Sequence, residues 1–135
     1  MDARGKEFVR GLRERTKTFA LEAIRVAETL PATTTAQVLK KQLVRSATSV
    51  GANYHSACRA RSRADFVSKI RIAIEEADET QYWLELLTSV NMVPAAKAVV
   101  LHSEADQLIA ILTASAKTAT QNRTQEQPRG TAPQH

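Results

Sequence analysis

The sequence contains few of the residues that bend chains, build sheets or cross-link them. Only four glycines and four prolines occur among 135 residues, and two of the prolines, Pro128 and Pro133, lie close to the C-terminus. Aromatic residues make up 4% of the chain, whereas the hydrophobic total reaches 43% and leans on Ala, Leu, Val and Ile. A β-sheet normally uses more aromatic and β-branched residues. The composition therefore favours long, closely packed helices.

Further absences bear on the cellular compartment. Because Cys58 is the single cysteine, an internal disulfide is excluded, which fits a reducing environment. Residues 1–25 carry too many charges for the apolar segment of a secretory signal. No uncharged stretch approaches the roughly 18 apolar residues that a transmembrane helix requires. We therefore expect a cytoplasmic protein without a membrane partner, of a length that suits one domain.

Apolar residues recur at three-, four- and seven-residue intervals in four segments, which is the pattern of amphipathic helices. Residues that cap or end helices separate the segments, notably Pro31, Ser62, Asn91 and Pro94. Four such helices with short connections predict an all-α, antiparallel up-down-up-down four-helix bundle. The predicted helices cover about residues 12–29, 36–60, 64–90 and 95–119.

The same pattern sets the domain boundaries. The bundle is predicted to span residues 12–119, after a basic lead-in of residues 1–11. Residues 120–135 are polar and lack apolar periodicity, so we expect a disordered tail. Within the second helix, Gly51 costs about 1 kcal/mol relative to alanine. Close approach of a neighbouring helix is the expected compensation.

The predicted topology brings charges together that are distant in the sequence. The start of the first helix, the turn between the second and third, and the end of the fourth share one end of the bundle, here called the basic pole. It collects twelve basic and five acidic residues, a net +7 that leaves −2 for the rest of the chain. Both a solvated helix end and an anion-binding surface account for this cluster. The basic residues are Arg4, Lys6, Arg10, Arg13, Arg15, Arg59, Arg61, Arg63, Lys69, Lys117, Arg123 and Arg129.

The third helix carries the opposite charge. Its acidic block consists of Glu75, Glu76, Asp78, Glu79 and Glu85. Antiparallel pairing about the turn near Ser62 places Arg45 of the second helix opposite Glu79. Exposed ion pairs contribute at most about 1 kcal/mol each. We therefore expect this pair to set the register of the helices more than their stability.

Arrangements that carry chemistry are missing. Di-iron bundles need Glu-x-x-His on two helices, but alanine and valine stand three residues before His55 and His102. His55 and Cys58 share a helix face without further ligands, so a surface histidine beside a buried cysteine is the favoured interpretation. His55 and Ser56 point about 100° apart and cannot act together as base and nucleophile. We therefore expect no catalytic residue, metal or cofactor, and no enzyme.

Three blocks of sequence resemble a known family. They are QLVRSATSVGANY at residues 42–54, RARSRADF at 59–66 and EEADETQYWLELL at 75–87. In this order they resemble the bacterial four-helix bundles encoded in intervening sequences of 23S ribosomal RNA genes, over about residues 8–118. Accessory variability proteins of diversity-generating retroelements are similar to that family.

The resemblance implies a homopentameric ring of bundles with a basic surface. For the retroelement branch it also implies binding of RNA and of a reverse transcriptase. The family usually has a glutamate just after the Asn-Tyr pair, where this chain has Ser56. If that glutamate makes a buried or inter-subunit ion pair, this chain has lost it.

Two sets of residues follow as candidate sites. For nucleic acid, phosphate contacts without base readout are expected from Arg13, Arg15, Arg59, Arg61 and Arg63; Phe8 is the only ring clearly within the pole, which argues against base stacking. For a subunit interface, the candidates are small or polar residues on one stripe of the second helix and two aromatic residues of the third, since aromatics are enriched in interface cores. These are Ser46, Ser49, Asn53, Tyr82 and Trp83. Capping of side chains within the bundle is the alternative role of the first three.

These observations leave more than one function open. The first hypothesis is an oligomeric accessory or scaffold protein that binds RNA or DNA through repeated basic poles. The alternative is a protein–protein adaptor that binds no nucleic acid and docks a partner on the acidic block or on the basic pole. A third interpretation is an antitoxin-like or defence-associated helical protein.

Overall fold

Four helices joined by short turns account for nearly all of the chain that the structure describes. The computed structural model describes residues 2–126, with side chains for residues 2–121. It contains no strand in that range. The helices are α1 (Ala3–Glu28), α2 (Thr34–Cys58), α3 (Arg63–Ser89) and α4 (Ala95–Glu126).

The helix ends follow the capping residues. Asp2 accepts a hydrogen bond from the amide of Gly5 (2.8 Å) at the start of α1. Ser62 accepts one from the amide of Asp65 (3.0 Å) at the start of α3, as predicted. After α3, Asn91 adopts the left-handed conformation with φ 59°, and the next amide, of Met92, returns to the carbonyl of Leu87 (2.9 Å). The prediction of a left-handed cap at Asn91 is confirmed.

Two outer boundaries differ from the prediction. Helix α1 begins at Ala3 rather than near residue 12, because the side chain of Asp2 caps its first turn, and the helix continues through Gly5 and Gly11. Residues 3–11 are therefore part of the bundle's first helix and not a separate lead-in. Helix α4 continues to Glu126, since no glycine or proline interrupts residues 120–126, which were expected to be disordered. Residues 127–135 of the predicted tail lie outside the described range.

Contacts between side chains establish the antiparallel arrangement. Arg45 of α2 bonds to Glu76 of α3 (3.1 Å) and also pairs with Glu79. This confirms the predicted register. His102 of α4 lies 3.0 Å from Glu85 of α3. Each helix thus packs against its neighbours in sequence, and α1 also faces α4. The all-α, up-down-up-down bundle is confirmed.

The core lies along the common axis of the helices. It consists of aliphatic side chains, many alanines and the rings of Phe19 and Tyr54. On the seam between α2 and α3, Thr80 Oγ1 donates to Ser46 Oγ (3.0 Å), which in turn donates to the carbonyl of Leu43 (3.2 Å). Both hydroxyls are thereby satisfied although they are fully buried. The largest fully buried apolar side chains are Phe19, Leu43, Val50, Ile70, Leu84, Leu87, Leu108 and Leu112.

Gly51 lies where α1 and α2 approach each other closely. A Cβ atom added at Gly51 would lie 3.2 Å from Thr16 Oγ1 and 3.4 Å from Thr16 Cβ. Both distances are at or below the limit of ordinary contact. The predicted reason for a glycine in mid-helix is therefore confirmed.

Candidate nucleic-acid interface

The basic pole forms where α1 begins, α2 passes into α3 and α4 ends. Of the twelve basic residues predicted for it, ten have described side chains, while Arg123 and Arg129 lie outside that range. Four acidic residues accompany them, namely Asp2, Glu7, Glu14 and Asp65. The described part of the pole therefore keeps a large positive excess.

Three of the five predicted phosphate contacts present their side chains to solvent. Arg59 and Arg61 are exposed in the turn between α2 and α3. Arg13 is exposed on α1, and its Nη2 lies 2.8 Å from Nδ1 of His55 on α2. Arg63 is half-buried and borders a cavity described below. The antiparallel packing thus brings Arg13 within reach of the α2–α3 turn.

Arg15 has a different role. Its Nε and Nη2 donate to the carboxylate of Glu104 on α4 (2.6 and 3.2 Å), and Nη2 also donates to Gln107 (2.5 Å). The hydrogen bond to Glu104 raises the pKa of Arg15, against a smaller opposing effect of burial. Because its guanidinium is already occupied, we remove Arg15 from the candidate phosphate contacts. We call this group of three side chains the clasp.

The predicted interface residues divide into two groups. Ser46 is 0% exposed and faces α3, so no second subunit can reach it and this part of the prediction is corrected. Ser49 Oγ donates to the carbonyl of Arg45 (2.7 Å), and Asn53 Nδ2 donates to that of Ser49 (2.8 Å). Their polar groups are thus used within α2, which matches the alternative of bonding inside the bundle.

The aromatic pair on α3 remains accessible. Tyr82 is 54% exposed and packs edge-on against Trp83, with ring centroids 5.1 Å apart. Trp83 is half-buried, and its Nε1 donates to Glu79 (2.9 Å). Ser56, at the position where the family usually has a glutamate, is exposed. A glutamate at that position would therefore not be buried within the chain.

A cavity that the sequence did not reveal adjoins the basic pole. It measures about 880 Å³ and lies between the start of α1, the α2–α3 turn with the helix ends beside it, and the second half of α4. We call it the cationic groove; its apolar walls include Phe8, Val9, Phe66, Ile111 and Ala114. The one available signal in the sequence was Phe8, an aromatic residue outside the predicted helix, which is 52% exposed.

The only cysteine of the sequence lines this groove. Cys58 is exposed and lines the groove, so the interpretation of a buried cysteine is wrong. Its neighbour Tyr54 is buried, and burial raises the pKa of the Tyr54 phenol, with a further contribution from Cys58. The sequence could not indicate this exposure, because α2 ends at Cys58 and the following turn leaves its side chain uncovered.

A second cavity lies on the same side of the bundle, at the opposite end. It measures about 680 Å³ and lies between the second half of α1 and the start of α4. We call it the neutral groove; its walls include Phe19, Val26, Val100 and Leu101. Along α1, Arg15 of the clasp lies between the residues that line the two grooves, whereas its partner Glu104 lines the neutral groove itself.

Two other kinds of site are absent from the described residues. Within that part of the chain, no group of three or more His, Cys, Asp or Glu side chains is placed to hold a metal ion. None of the helices there combines the length and the apolar character that crossing a bilayer would require.

Comparisons with known proteins identify the family. Residues 12–114 match the family described as 23S rRNA-intervening sequence protein. The chain is similar to a crystal structure from Bacteroides thetaiotaomicron, described as a protein of unknown function from the S23 ribosomal protein family. The TM-score is 0.76 at 32% identity, over 81% of this chain and 97% of that one. No curated protein matches the sequence. The chain belongs to the family of 23S rRNA-intervening sequence proteins.

Proposed function

We propose that this protein is a non-catalytic, oligomeric accessory protein that contacts RNA through the basic pole. In this role it would hold RNA for a second protein, such as an enzyme that acts on nucleic acid. The basic pole is the observation on which the proposal rests. Its arginines come from distant parts of the sequence, and the fold places them at one end of the bundle.

The character of the pole favours phosphate recognition over base recognition. Arg13, Arg59 and Arg61 are exposed and carry fixed charge. Guanidinium groups bind phosphate oxygens with two parallel hydrogen bonds, which gives affinity without sequence preference. We therefore expect affinity that depends strongly on salt and weakly on RNA sequence.

Assembly would strengthen this binding. The family resemblance points to a homopentamer, in which five copies of the basic pole would act together on one RNA. Linking weak sites raises the overall affinity by about 10²–10⁴ when the ligand reaches several of them. A mass measurement in solution tests this part separately, because the protomer has a mass of 14.8 kDa.

The test is RNA binding by two variants that lose the same charge. In the first, Arg13, Arg59 and Arg61 are replaced with alanine. In the second, Arg25, Lys41 and Lys97, exposed residues toward the opposite end of the bundle, are replaced with alanine. Binding of a fluorescein-labelled RNA hairpin and of a single-stranded RNA is measured between 50 and 200 mM salt.

We expect the first variant to bind about tenfold or more weakly at low salt, and the second to change little. The slope of the salt dependence should become shallower by about one for each phosphate that an arginine no longer neutralises. Equal effects in the two variants would mean that only overall charge matters. Absence of RNA binding by the unaltered protein at low salt, together with recovery of a protein partner free of RNA, would favour the adaptor function.

A further inference from the structure

We propose that the cationic groove binds an amphipathic helix of a partner protein whose apolar face is bordered by acidic residues. This goes beyond RNA binding, because it assigns a second ligand class to the apolar groove, whose border includes Arg59 and Arg61 of the proposed RNA contacts. The proposal rests on the shape of the groove, on its apolar lining and on its charge.

The shape of the groove suits a helix. Its α4 wall runs from Ile111 to Ala119, a length of about 12 Å at 1.5 Å per residue. This is a little more than two helical turns. Small residues, among them Gly5, Ala57 and Ala60, line part of the groove and allow another backbone to approach closely. Phe8 lines the groove and is half-exposed, so its ring is available for contact with a partner.

The charge around the groove selects the partner. Among the lining residues and their immediate sequence neighbours, seven are basic and only Glu7 and Asp65 are acidic. Glu7 pairs with Arg10, so these two charges offset each other. Of the seven basic residues, Arg63 lines the groove itself, and the others adjoin lining residues in the sequence. The neutral groove, counted in the same way, has three basic and three acidic residues. The net positive charge therefore lies around the cationic groove, and complementarity favours acidic residues on the partner. The seven basic residues are Arg4, Lys6, Arg10, Arg59, Arg61, Arg63 and Lys117.

Other occupants fit less well. Residues 127–135 contain no large apolar side chain, and their one charged side chain, Arg129, is basic. The exposed acidic stripe of α3 in a second copy offers Tyr82 as its one large, well-exposed apolar side chain. A nucleobase needs hydrogen-bond partners along its edge, whereas these walls are mainly apolar. The apolar face of a helix, in contrast, can pack against these apolar walls along its length.

The experiment uses the full chain and Cys58, which lines the groove, as the reporter. The probe is an 18-residue synthetic peptide with leucines at helical spacing and glutamates beside them. A second peptide has lysines in place of the glutamates. Peptide binding is followed by fluorescence anisotropy, and the rate of Cys58 alkylation by a maleimide is measured with and without peptide.

We expect the glutamate peptide to bind and to slow Cys58 alkylation about tenfold, and the lysine peptide to bind at least about tenfold more weakly. Phe8→Ala and Ala114→Trp should each lower the affinity for the glutamate peptide by about tenfold. The matched control, Val100→Trp in the neutral groove, should not change its affinity. Circular dichroism establishes that each variant keeps its helical content.

Several results would overturn the proposal. Equal binding of the two peptides would reveal unspecific apolar adhesion. Cys58 that is already protected in the unliganded assembly would show that a second copy covers the groove. If Phe8→Ala weakened the binding of RNA as much as the binding of the peptide, the groove would be a nucleic-acid site. RNA binding that is unchanged in Phe8→Ala and Ala114→Trp separates this proposal from the proposed function, since each can then fail without the other.

Discussion

Helix α1 packs more closely against α2 than against α4. At Gly51 of α2, an added Cβ would lie 3.2 Å from Thr16 Oγ1, although a cavity of about 370 Å³ borders the same two residues. Against α4, helix α1 borders two larger cavities of about 680 and 880 Å³, and the clasp joins the two helices beside the smaller of them. We call the α1–α4 contact the open side of α1, because the larger free surface lies there.

The largest effect is expected within the open side, where two phenylalanines of α1 line different grooves. Phe19 is 1% exposed and belongs to the core, so Phe19→Ala should lower the free energy of unfolding by about 3–5 kcal/mol. Phe8→Ala, at the half-exposed ring, should cost less than about 1 kcal/mol. Urea denaturation measures both values. A large loss for Phe8→Ala would show that the cationic groove is part of the core.

The close contact between α1 and α2 can be broken by adding bulk at Gly51. Gly51→Leu places a side chain against Thr16, which is buried, and should destabilise the fold by about 1–3 kcal/mol. Gly11 is the matched control, because nothing lies within 4 Å of a Cβ added there. Gly11→Ala should stabilise the protein by about 0.5–1 kcal/mol through helix propensity. Thermal unfolding compares the two, and a neutral Gly51→Leu would contradict the close approach of the helices.

Removing the clasp should weaken the contact between α1 and α4 on the open side. Arg15→Ala deletes three hydrogen bonds, and we expect a loss of about 1–2 kcal/mol after allowing for solvent screening, since about a third of each of the Arg15 and Glu104 side chains is exposed. Amide hydrogen exchange in α1 should become faster.

The control for the clasp is Arg25→Ala. Arg25 pairs with Glu22 within α1, and both side chains are mainly exposed. Its loss should therefore cost no more than about 0.5 kcal/mol. If the two variants behaved alike, the clasp would be no more than another surface ion pair.

The smallest effect is a dependence on alkaline pH that distinguishes the two tyrosines. The pKa of Tyr54 is raised in the folded state above its ordinary value of 10.0. The stability it contributes is therefore complete below pH 10 and is lost above it, because the unfolded chain releases the phenolic proton first. Near pH 10.5 this amounts to about 0.5–1 kcal/mol.

Replacing each tyrosine in turn isolates this effect. Denaturant titrations between pH 9 and 11 should show a shallower decline in the free energy of unfolding for Tyr54→Phe than for the unaltered protein. Tyr82→Phe, at an exposed ring, should keep the full decline. Identical pH profiles for the two variants would place the cause elsewhere.

Much of the fold could be predicted because local patterns encode it. The periodic spacing of apolar residues predicts four helices, and the capping residues Ser62 and Asn91 indicate the two ends of the third helix. Short connections then required antiparallel neighbours, which placed Arg45 opposite Glu79. The outer helix boundaries differ from the prediction because residues 3–11 and 120–126 have weak apolar periodicity, and residues 3–11 also contain two glycines, yet both segments are helical.

The candidate sites were less predictable, because they depend on how α1 and α4, the first and last helices of the bundle, meet. The sequence does not distinguish Arg15 from the other predicted phosphate contacts. Its partner Glu104 is distant in sequence, and the contact depends on the rotation of α1 about its axis. The predicted role of Ser46 failed for the same reason, since its stripe faces α3. The apolar periodicity of single helices does not encode the distance between the first and last helices, so the sequence does not predict the grooves.

The separation of the two grooves along α1 has a consequence for how this surface can change over generations. Val9 and Thr18 line different grooves and are nine residues apart, which is about two and a half helical turns. Substitutions in one groove can therefore alter binding there with little effect on the other. Relatives that keep both grooves are accordingly expected to diverge independently in the residues that line each of them.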